Sequence, residues 1–553
     1  MNLIALCLLA LTQVPPEKQL VKFASATPQL VTSVTVSWDR PGRQTLYLWR
    51  DIDSTTLPYI PFQFFEFDAS PPIWVNIAAA NVGRPLTYEL REPVPISESR
   101  PLFVGVKRSG DQPGFTVSSS GDASPGSVIE SVDSTEAPRL KSILSRPAHP
   151  FRVEVSTKPA AKQPLWFKDV TRAEGLENVQ TAAIASADLD GDGADELIVS
   201  GPRVFSRVNG KFAETTSKFG LKAEQVDATL AADLDHDGDL DLVCLRRSAS
   251  PSVLIYKMES GKYLRSPNQL AQTPELPWCA NIFDFDGDGN LDIFVGAGWD
   301  WNATRPFGRS RIWRNSGQAE FVDVSEAYGF DSDAKSHWFS RISLAADFWQ
   351  TNQPSLVVGT YYLHPDRFWT FANGKATDLA SQLGLTGITT PGDRPGNGHA
   401  LGVVAMDVNQ DGWLDLLLAN LIHPDWRGFL ASNHSHAFVN DKKGGFTRKP
   451  LTALGVHYEE TAADLVAADF DGDGYQDLFQ HSAYHRADFY KGMSGGFSDY
   501  TDWAGVGIGQ GTASAVTDFN QDGMPDLAAV DGSGSLRLFQ NIAPRREMVS
   551  VRV

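Results

Sequence analysis

The chain has 553 residues, 42% of them hydrophobic and 21% charged, which is enough apolar material for more than one core and excludes intrinsic disorder. Its formal net charge of −19 argues against a nucleic-acid partner, which needs clustered Lys and Arg. Beyond the N-terminus no run is long and apolar enough for a transmembrane helix.

The N-terminus carries an apolar stretch from Leu3 to Leu11, too short to span a bilayer and of the right length for the core of a signal peptide. Residues 1–15 are therefore expected to direct export, giving a secreted, periplasmic or cell-surface protein, although no Lys or Arg precedes the apolar stretch. Residues 20–157 alternate apolar and polar positions in runs such as Val31–Trp38, Gln44–Trp49 and Pro101–Lys107. Pro, Gly, Ser and Asp clusters separate these runs, a pattern that predicts a β-sandwich or jelly roll. The boundary to the next domain is expected near Lys158–Pro164.

Residues 165–545 repeat one unit seven times. In each, a strand-like apolar run enters a nine-residue loop and a second apolar run leaves it; the first loop, Asp188 to Glu196, reads Asp-Leu-Asp-Gly-Asp-Gly-Ala-Asp-Glu. Equivalents start at Asp233, Asp284, Asp347, Asp407, Asp469 and Asp518, separated by 45 to 63 residues. An aromatic strand follows, as in Ile312–Asn315, Phe438–Asn440 and Leu538–Asn541, and then a strand with a Phe-x-Asp pattern, as in Phe321–Asp323 and Phe497–Asp499. Four short strands in each of seven units predict an all-β, seven-bladed propeller after the sandwich. The last unit lacks its own Phe-x-Asp strand, and one stands unused before the first loop, at Phe167–Asp169. That strand is expected to complete the last blade and close the ring.

Carboxylates or amides at positions 1, 3, 5 and 9 of a loop, around a Gly at 6, offer oxygen ligands to a hard cation, and calcium is the leading candidate. The ligands expected are Asp188, Asp190, Asp192 and Glu196; Asp233, Asp235, Asp237 and Asp241; Asp284, Asp286, Asp288 and Asp292; Asp407, Asn409, Asp411 and Asp415; Asp469, Asp471, Asp473 and Asp477; and Asp518, Asn520, Asp522 and Asp526. An EF-hand is excluded, because position 12 is not Glu in any of the six and falls in an apolar strand. The fourth loop keeps Asp347 but has Trp349, Thr351, Asn352 and Ser355 at positions 3, 5, 6 and 9, so no ion is expected there. About six calcium ions, repeated around a ring, read as structural, whereas a catalytic metal sits in one site with an open position.

The Asp-x-[Asp/Asn]-x-Asp-Gly-x-x-Asp motif inside a repeated four-strand unit resembles the FG-GAP and VCBS repeat families, whose members form seven-bladed propellers similar to the integrin α head. The Phe167–Leu176 segment also resembles the cartilage-acidic-protein-like branch. The resemblance implies an exported propeller whose ligand face lies opposite the acidic loops, binding a protein or glycan partner.

Nine of the 11 histidines lie between His337 and His485. His337, His399 and His457 precede the first strands of units 4 to 6 by similar offsets, and His364, His423 and His485 follow the second strands, which predicts that all six reach the face opposite the acidic loops. The sequence His-Pro-Asp occurs there twice, at His364–Asp366 and His423–Asp425, with Trp299, Trp301, Trp338, Trp369 and Trp426 nearby. An extracellular metal-dependent enzyme, acting on polysaccharide through zinc or copper held by these imidazoles, is the alternative to the binding-module reading. Solvated loop histidines with no shared partner are the simpler expectation. Gly492-Met493-Ser494-Gly495-Gly496 matches the Gly-x-Ser-x-Gly pattern of hydrolases but falls in a predicted hairpin turn, which excludes a nucleophile elbow. Cys244 and Cys279 are expected either as buried thiols or, less simply, as a disulfide.

Overall fold

The computed structural model describes residues 164–544 apart from 248, 268–269, 271–275, 299–308, 331–337, 362–363, 387–398, 421–434, 457–461 and 483–486, together with the backbone of strands between 18 and 159. The signal segment, His337, His423, His457 and His485, and Trp299, Trp301 and Trp426 lie outside the described residues. In the N-terminal unit the strands pair in two antiparallel groups. One holds Lys18–Phe23, Gly42–Arg50, Ile73–Ile77, Leu102–Lys107 and Val128–Glu130; the other holds Gln29–Trp38, Pro85–Ile96, Phe115–Thr116 and Arg152–Pro159.

The second unit is a seven-bladed propeller, each blade a four-stranded antiparallel sheet. The innermost strands are Ile184–Ala187, Ala228–Ala232, Pro277–Phe283, Phe339–Ala346, Ala400–Met406, Ala462–Ala468 and Gly511–Thr517, and the first packs against the last to complete the circle. They are small-residue strands, and in the first two blades every residue is half-buried where the strand lines the axis. The second strands, such as Glu196–Val199 and Asp292–Ala297, are fully buried between neighbouring blades. Alternate faces of each sheet fill the gaps on either side, so the core is a ring of inter-blade clusters; between blades 3 and 4, Phe285, Phe294, Phe330 and Phe371 pack on one another.

Ring closure is as the sequence predicts. Phe167–Asp169 pairs with Leu536–Asn541 as the outer strand of blade 7, with Phe167 opposite Asn541. Phe167 is fully buried against Phe470 and Phe489 of blade 6, so this early strand is held by its side chain as well as its hydrogen bonds. The Phe-x-Asp pattern also acquires a reason. The Asp accepts a backbone N–H two residues on and pairs with an Arg of the third strand: Asp323 with Arg311 at 2.6 Å, Asp378 with Arg367 at 2.6 Å, and Asp169 with Arg537.

In blades 3 to 7 the inner strand carries a β-bulge at one repeated position, which leaves Trp278, Arg341, Leu401, Ala463 and Thr512 unpaired. Blades 1 and 2 have none. A bulge re-aims a side chain without ending the strand. All five lie at the end of the strand away from the acidic loop. Met493 ends the strand Asp488–Met493 and Gly496 begins its partner Gly496–Asp499, so the Gly-x-Ser-x-Gly match spans a hairpin turn.

Candidate metal centres and the opposite face

Every acidic loop is folded by its first carboxylate. Asp188, Asp407, Asp469 and Asp518 each accept the backbone N–H groups of positions 5 and 6, at 2.7 to 3.1 Å. The position-5 carboxylate in turn accepts the N–H of position 7, as Asp192 does from Ala194 at 2.8 Å. Positions 4 and 6 both take positive φ in all seven loops, including the eroded one, where Gln350 and Asn352 adopt it. Asn is the residue after Gly that best tolerates this conformation, which explains its place at position 6 of the loop that lost its glycine.

Position 2 anchors the loop. Leu189, Leu234, Phe285, Phe348, Val408, Phe470 and Phe519 are all buried there. The position-9 acid accepts the N–H of position 2, at 2.8 to 3.2 Å in blades 1, 2, 3, 5 and 6. Its second oxygen accepts an N–H from the third strand: Met258 for Asp241, Asn315 for Asp292, Asn440 for Asp415, Gly492 for Asp477 and Asn541 for Asp526. The carbonyl of position 2 is taken by the following blade. Asn315 donates to Leu234, Gln353 to Phe285, Asn440 to Phe348 and Asn541 to Phe470, at 2.7 to 3.2 Å. Non-glycine side chains at position 4 make a further stitch, since Gln350, Gln410 and Gln521 donate to carbonyls in the next loop round the ring. The eroded loop is thus held by Asp347, which accepts from Thr351 and Asn352, and by Asn440 of blade 5.

The carboxylates that remain converge. Asp188, Asp190 and Glu196, then Asp233, Asp235 and Asp237, then Asp284, Asp286 and Asp292, then Asp469, Asp471 and Asp477 each bring ligand oxygens within 4.8 Å of one another. Buried oxygens of Asp233, Asp235, Asp286 and Asp526 have no hydrogen-bond partner. Burial, reinforced by neighbouring loop carboxylates, pushes the position-9 acids up: Glu196 and Asp292 to about 7, Asp241 and Asp415 to about 6, Asp477 and Asp526 to about 8. Basic side chains lean onto five of the loops: Lys218 on Asp190, Lys257 on Asp235, Arg314 on Asp286, Lys442 on Asp411 and Lys491 on Asp471 and Asp473. Crowded, partly orphaned carboxylate oxygens with an all-oxygen donor set fit a hard divalent cation.

On the opposite face, His364 lies edge-on to Trp338 at 5.8 Å and His399 edge-on to Tyr361 at 4.4 Å. Among the described residues the groups able to hold a metal are all carboxylate, and neither histidine joins one. Of the two His-Pro-Asp sequences, the second, at 423–425, lies outside the described residues. Buried Asp366 caps the second strand of blade 4 by accepting Thr360 N–H at 2.8 Å; in blade 3 Ser310 has that place and in blade 5 Ser435. Trp369 is blade packing, its ring tilted against Phe330 with centroids 4.6 Å apart. Cys244 and Cys279 are free thiols that burial pushes up to about 12.

The sequence reading missed the stitching residues at position 4, the Asn amides, and a basic cluster at the axis. Of these only the Asn residues leave a repeated trace in the chain, at the ends of the aromatic strands.

A family model for FG-GAP-like repeats matches residues 233–295 and 469–529, each match running through two consecutive acidic loops. No curated protein matches the chain in sequence. Among solved structures it is similar to the crystal structure of BBS1N in complex with ARL6DN, soaked with lead, at 11% identity and a TM-score of 0.42, over 70% of this chain and 99% of that one. It is also similar to the V. cholerae biofilm matrix protein Bap1, at 13% identity and a TM-score of 0.34, over 69% and 92% of the two chains.

Proposed function

Starting from an FG-GAP-repeat β-propeller protein, we propose an exported binding module whose acidic loops hold calcium for structure and whose opposite face takes a protein or glycan ligand. The observation that carries the metal half is the set of converging carboxylates with orphaned buried oxygens in the acidic loops. Calcium would neutralise those loops, relieving a charge of −19 to about −7 for six ions. The ions belong to the frame, because the loops that would hold them are bonded to the following blade through their position 2 carbonyls and position 4 glutamines.

The ligand half is supported by the contrast between the two faces. The acidic loops are held to one length and one geometry, whereas the connections from second to third strands vary. Only residues between Val199 and Arg203 separate them in blade 1, but those between Asn420 and His436 do so in blade 5. Variable loops on a rigid scaffold are where recognition is placed. Export is supported by the apolar stretch Leu3–Leu11, and extracellular calcium modules work at about 10⁻⁴ to 10⁻³ M.

Calorimetric titration of chelator-treated protein with calcium is expected to show about six sites, and melting with and without chelator to show a large shift. An unchanged melting temperature would sink the structural role. Binding to an array of polysaccharides and extracellular-matrix proteins, repeated with substitutions confined to loops on the opposite face, tests the ligand half; retention of all binding by those variants would refute it. Sequencing the N-terminus of secreted protein tests export.

A further inference from the structure

The two basic residues at the axis are unusual for a chain this acidic. Arg247 follows the second strand of blade 2, and its backbone N–H donates to Asp227 at 2.7 Å. Arg341 is the bulge residue of blade 4 and Trp278 that of blade 3. Both guanidinium groups lie over the Trp278 ring, Arg247 at 4.2 Å and Arg341 at 4.9 Å from its centroid. Phe339 meets the same indole edge-on at 5.0 Å. These three side chains come from three blades, and two of them are placed by bulges that serve no pairing purpose.

Three observations leave the cluster incomplete. Among the described residues neither Arg247 nor Arg341 forms an ion pair with a carboxylate. The nearest acids are committed elsewhere: Asp227 accepts the Arg247 backbone, and buried Asp464 accepts Ser514 N–H at 2.9 Å, Ser514 O–H at 2.6 Å and Leu465 N–H at 3.0 Å. Arg247 Nε and Trp278 Nε1 are buried donors with no acceptor. Burial, and after it the like charge of Arg247, pushes Arg341 down to about 10. Half-buried charge without an ion-pair partner and buried orphaned N–H groups are costly, and natural structures retain them where something else supplies the partner.

We propose that Arg247, Trp278 and Arg341 form an oxyanion-binding site at the axial mouth of the propeller, on the face opposite the acidic loops. The ligand group is a carboxylate or a sulfate-type oxyanion. Its oxygens accept charge-assisted hydrogen bonds from the two guanidinium groups and one from the indole N–H. With cations lying over its ring, Trp278 offers its N–H and not a bare face for stacking a sugar. Calcium and the oxyanion are thus bound at opposite ends of the blades by opposite chemistry. The inference rests on the ligand-face reading and makes it specific: the partner presents an acidic group to the axis.

The test is calorimetric titration of the full-length, calcium-saturated protein with sodium sulfate and, separately, sodium acetate at constant ionic strength. Phosphate is avoided because it precipitates calcium. One saturable site is expected for at least one anion, weakened tenfold or more in Arg341→Met and in Arg247→Met and unchanged in the surface control Lys375→Met. Preference for acetate assigns a carboxylate, and preference for sulfate a sulfate-type ester. Melting in anion-poor buffer guards against misfolding, since Arg341→Met removes an unpaired charge and is expected to melt no lower than wild type. No saturable binding of either anion to wild type, or equal binding in both Arg variants, overturns the proposal. Array ligands that still bind both Arg variants at full affinity would overturn it too, while leaving the ligand-face reading intact.

Discussion

Replacing Asn440 by Ala removes a side chain that bonds one blade to the loop of another. Asn440 is 4% exposed. Its Nδ2 donates to Phe348 O at 2.8 Å in blade 4 and Leu414 O at 3.1 Å in its own loop, and its Oδ1 accepts Lys442 N–H at 2.9 Å. Ala leaves two sheltered carbonyls and an N–H without that partner. At about 1 to 3 kcal/mol for each fully buried orphan, and with carbonyls and a partly exposed N–H at the low end, the loss comes to about 2 to 4 kcal/mol. Asn440→Asp is expected to cost more, because it turns a carboxylate toward two carbonyl oxygens beside Asp415, whose Oδ1 already accepts Asn440 N–H. Urea unfolding in excess calcium, followed by tryptophan fluorescence, measures the difference, with exposed Lys443→Ala as the control. The blade 4 loop has no metal ligand set to compensate, so calcium should not rescue the Ala variant. A loss below about 0.5 kcal/mol, or one indistinguishable from Lys443→Ala, refutes the view that these amides fasten the ring.

Gly511 faces the ring of His481 in blade 6, where an added Cβ collides with Nε2. Gly511→Ala is therefore expected to cost about 1 to 3 kcal/mol, and His481→Ala in the same chain to recover part of it, as melting curves of the single and double variants will show. His481 is fully buried, and burial lowers its pKa from 6.5 to about 4. The folded form thus binds this proton more weakly than the unfolded chain, so the stability is present above pH 6.5 and is lost as pH falls toward 4, by about 3 kcal/mol in all. His481→Gln should flatten that segment of the stability curve; a wild-type slope in the variant would show that other groups cause it. Asp471→Ala is expected to remove one ion from the calcium stoichiometry, whereas Asp347→Ala removes none, and calorimetry decides both. At calcium a hundredfold above the dissociation constant each lost site withdraws about 2.7 kcal/mol.

The repeat, the blade count and the closing strand were legible because they are written in residue types: Asp at positions 1, 3, 5 and 9, Phe-x-Asp in the outer strands, and a spare copy of that strand at Phe167–Asp169. The stitches were not, for a physical reason. Position 4 is Gly191, His236, Gly287, Gln350, Gln410, Gly472 and Gln521, which share a positive φ and no chemistry. Asn315, Asn440 and Asn541 are visible as strand ends, but their acceptors belong to the preceding blade and enter reach only once the ring is formed. Arg247, Trp278 and Arg341 carry no repeat signal at all. Two of them are brought to the axis by bulges, and a bulge is an irregularity of pairing that alternation patterns do not encode.

The pairing of Phe167–Asp169 with Leu536–Asn541 sets a timetable for biosynthesis. Asp169 leaves the ribosome 368 residues ahead of Arg537, its ion-pair partner. At about 5 to 20 residues per second that is a wait on the order of 20 to 70 s. For most of it Phe167 lacks the blade 6 rings that will cover it. A chain that terminates early, whatever its other blades have achieved, keeps that aromatic segment and a free sheet edge on display, which is the kind of surface chaperones and proteases recognise. Synthesis of the last blade and loss of that signal are the same event.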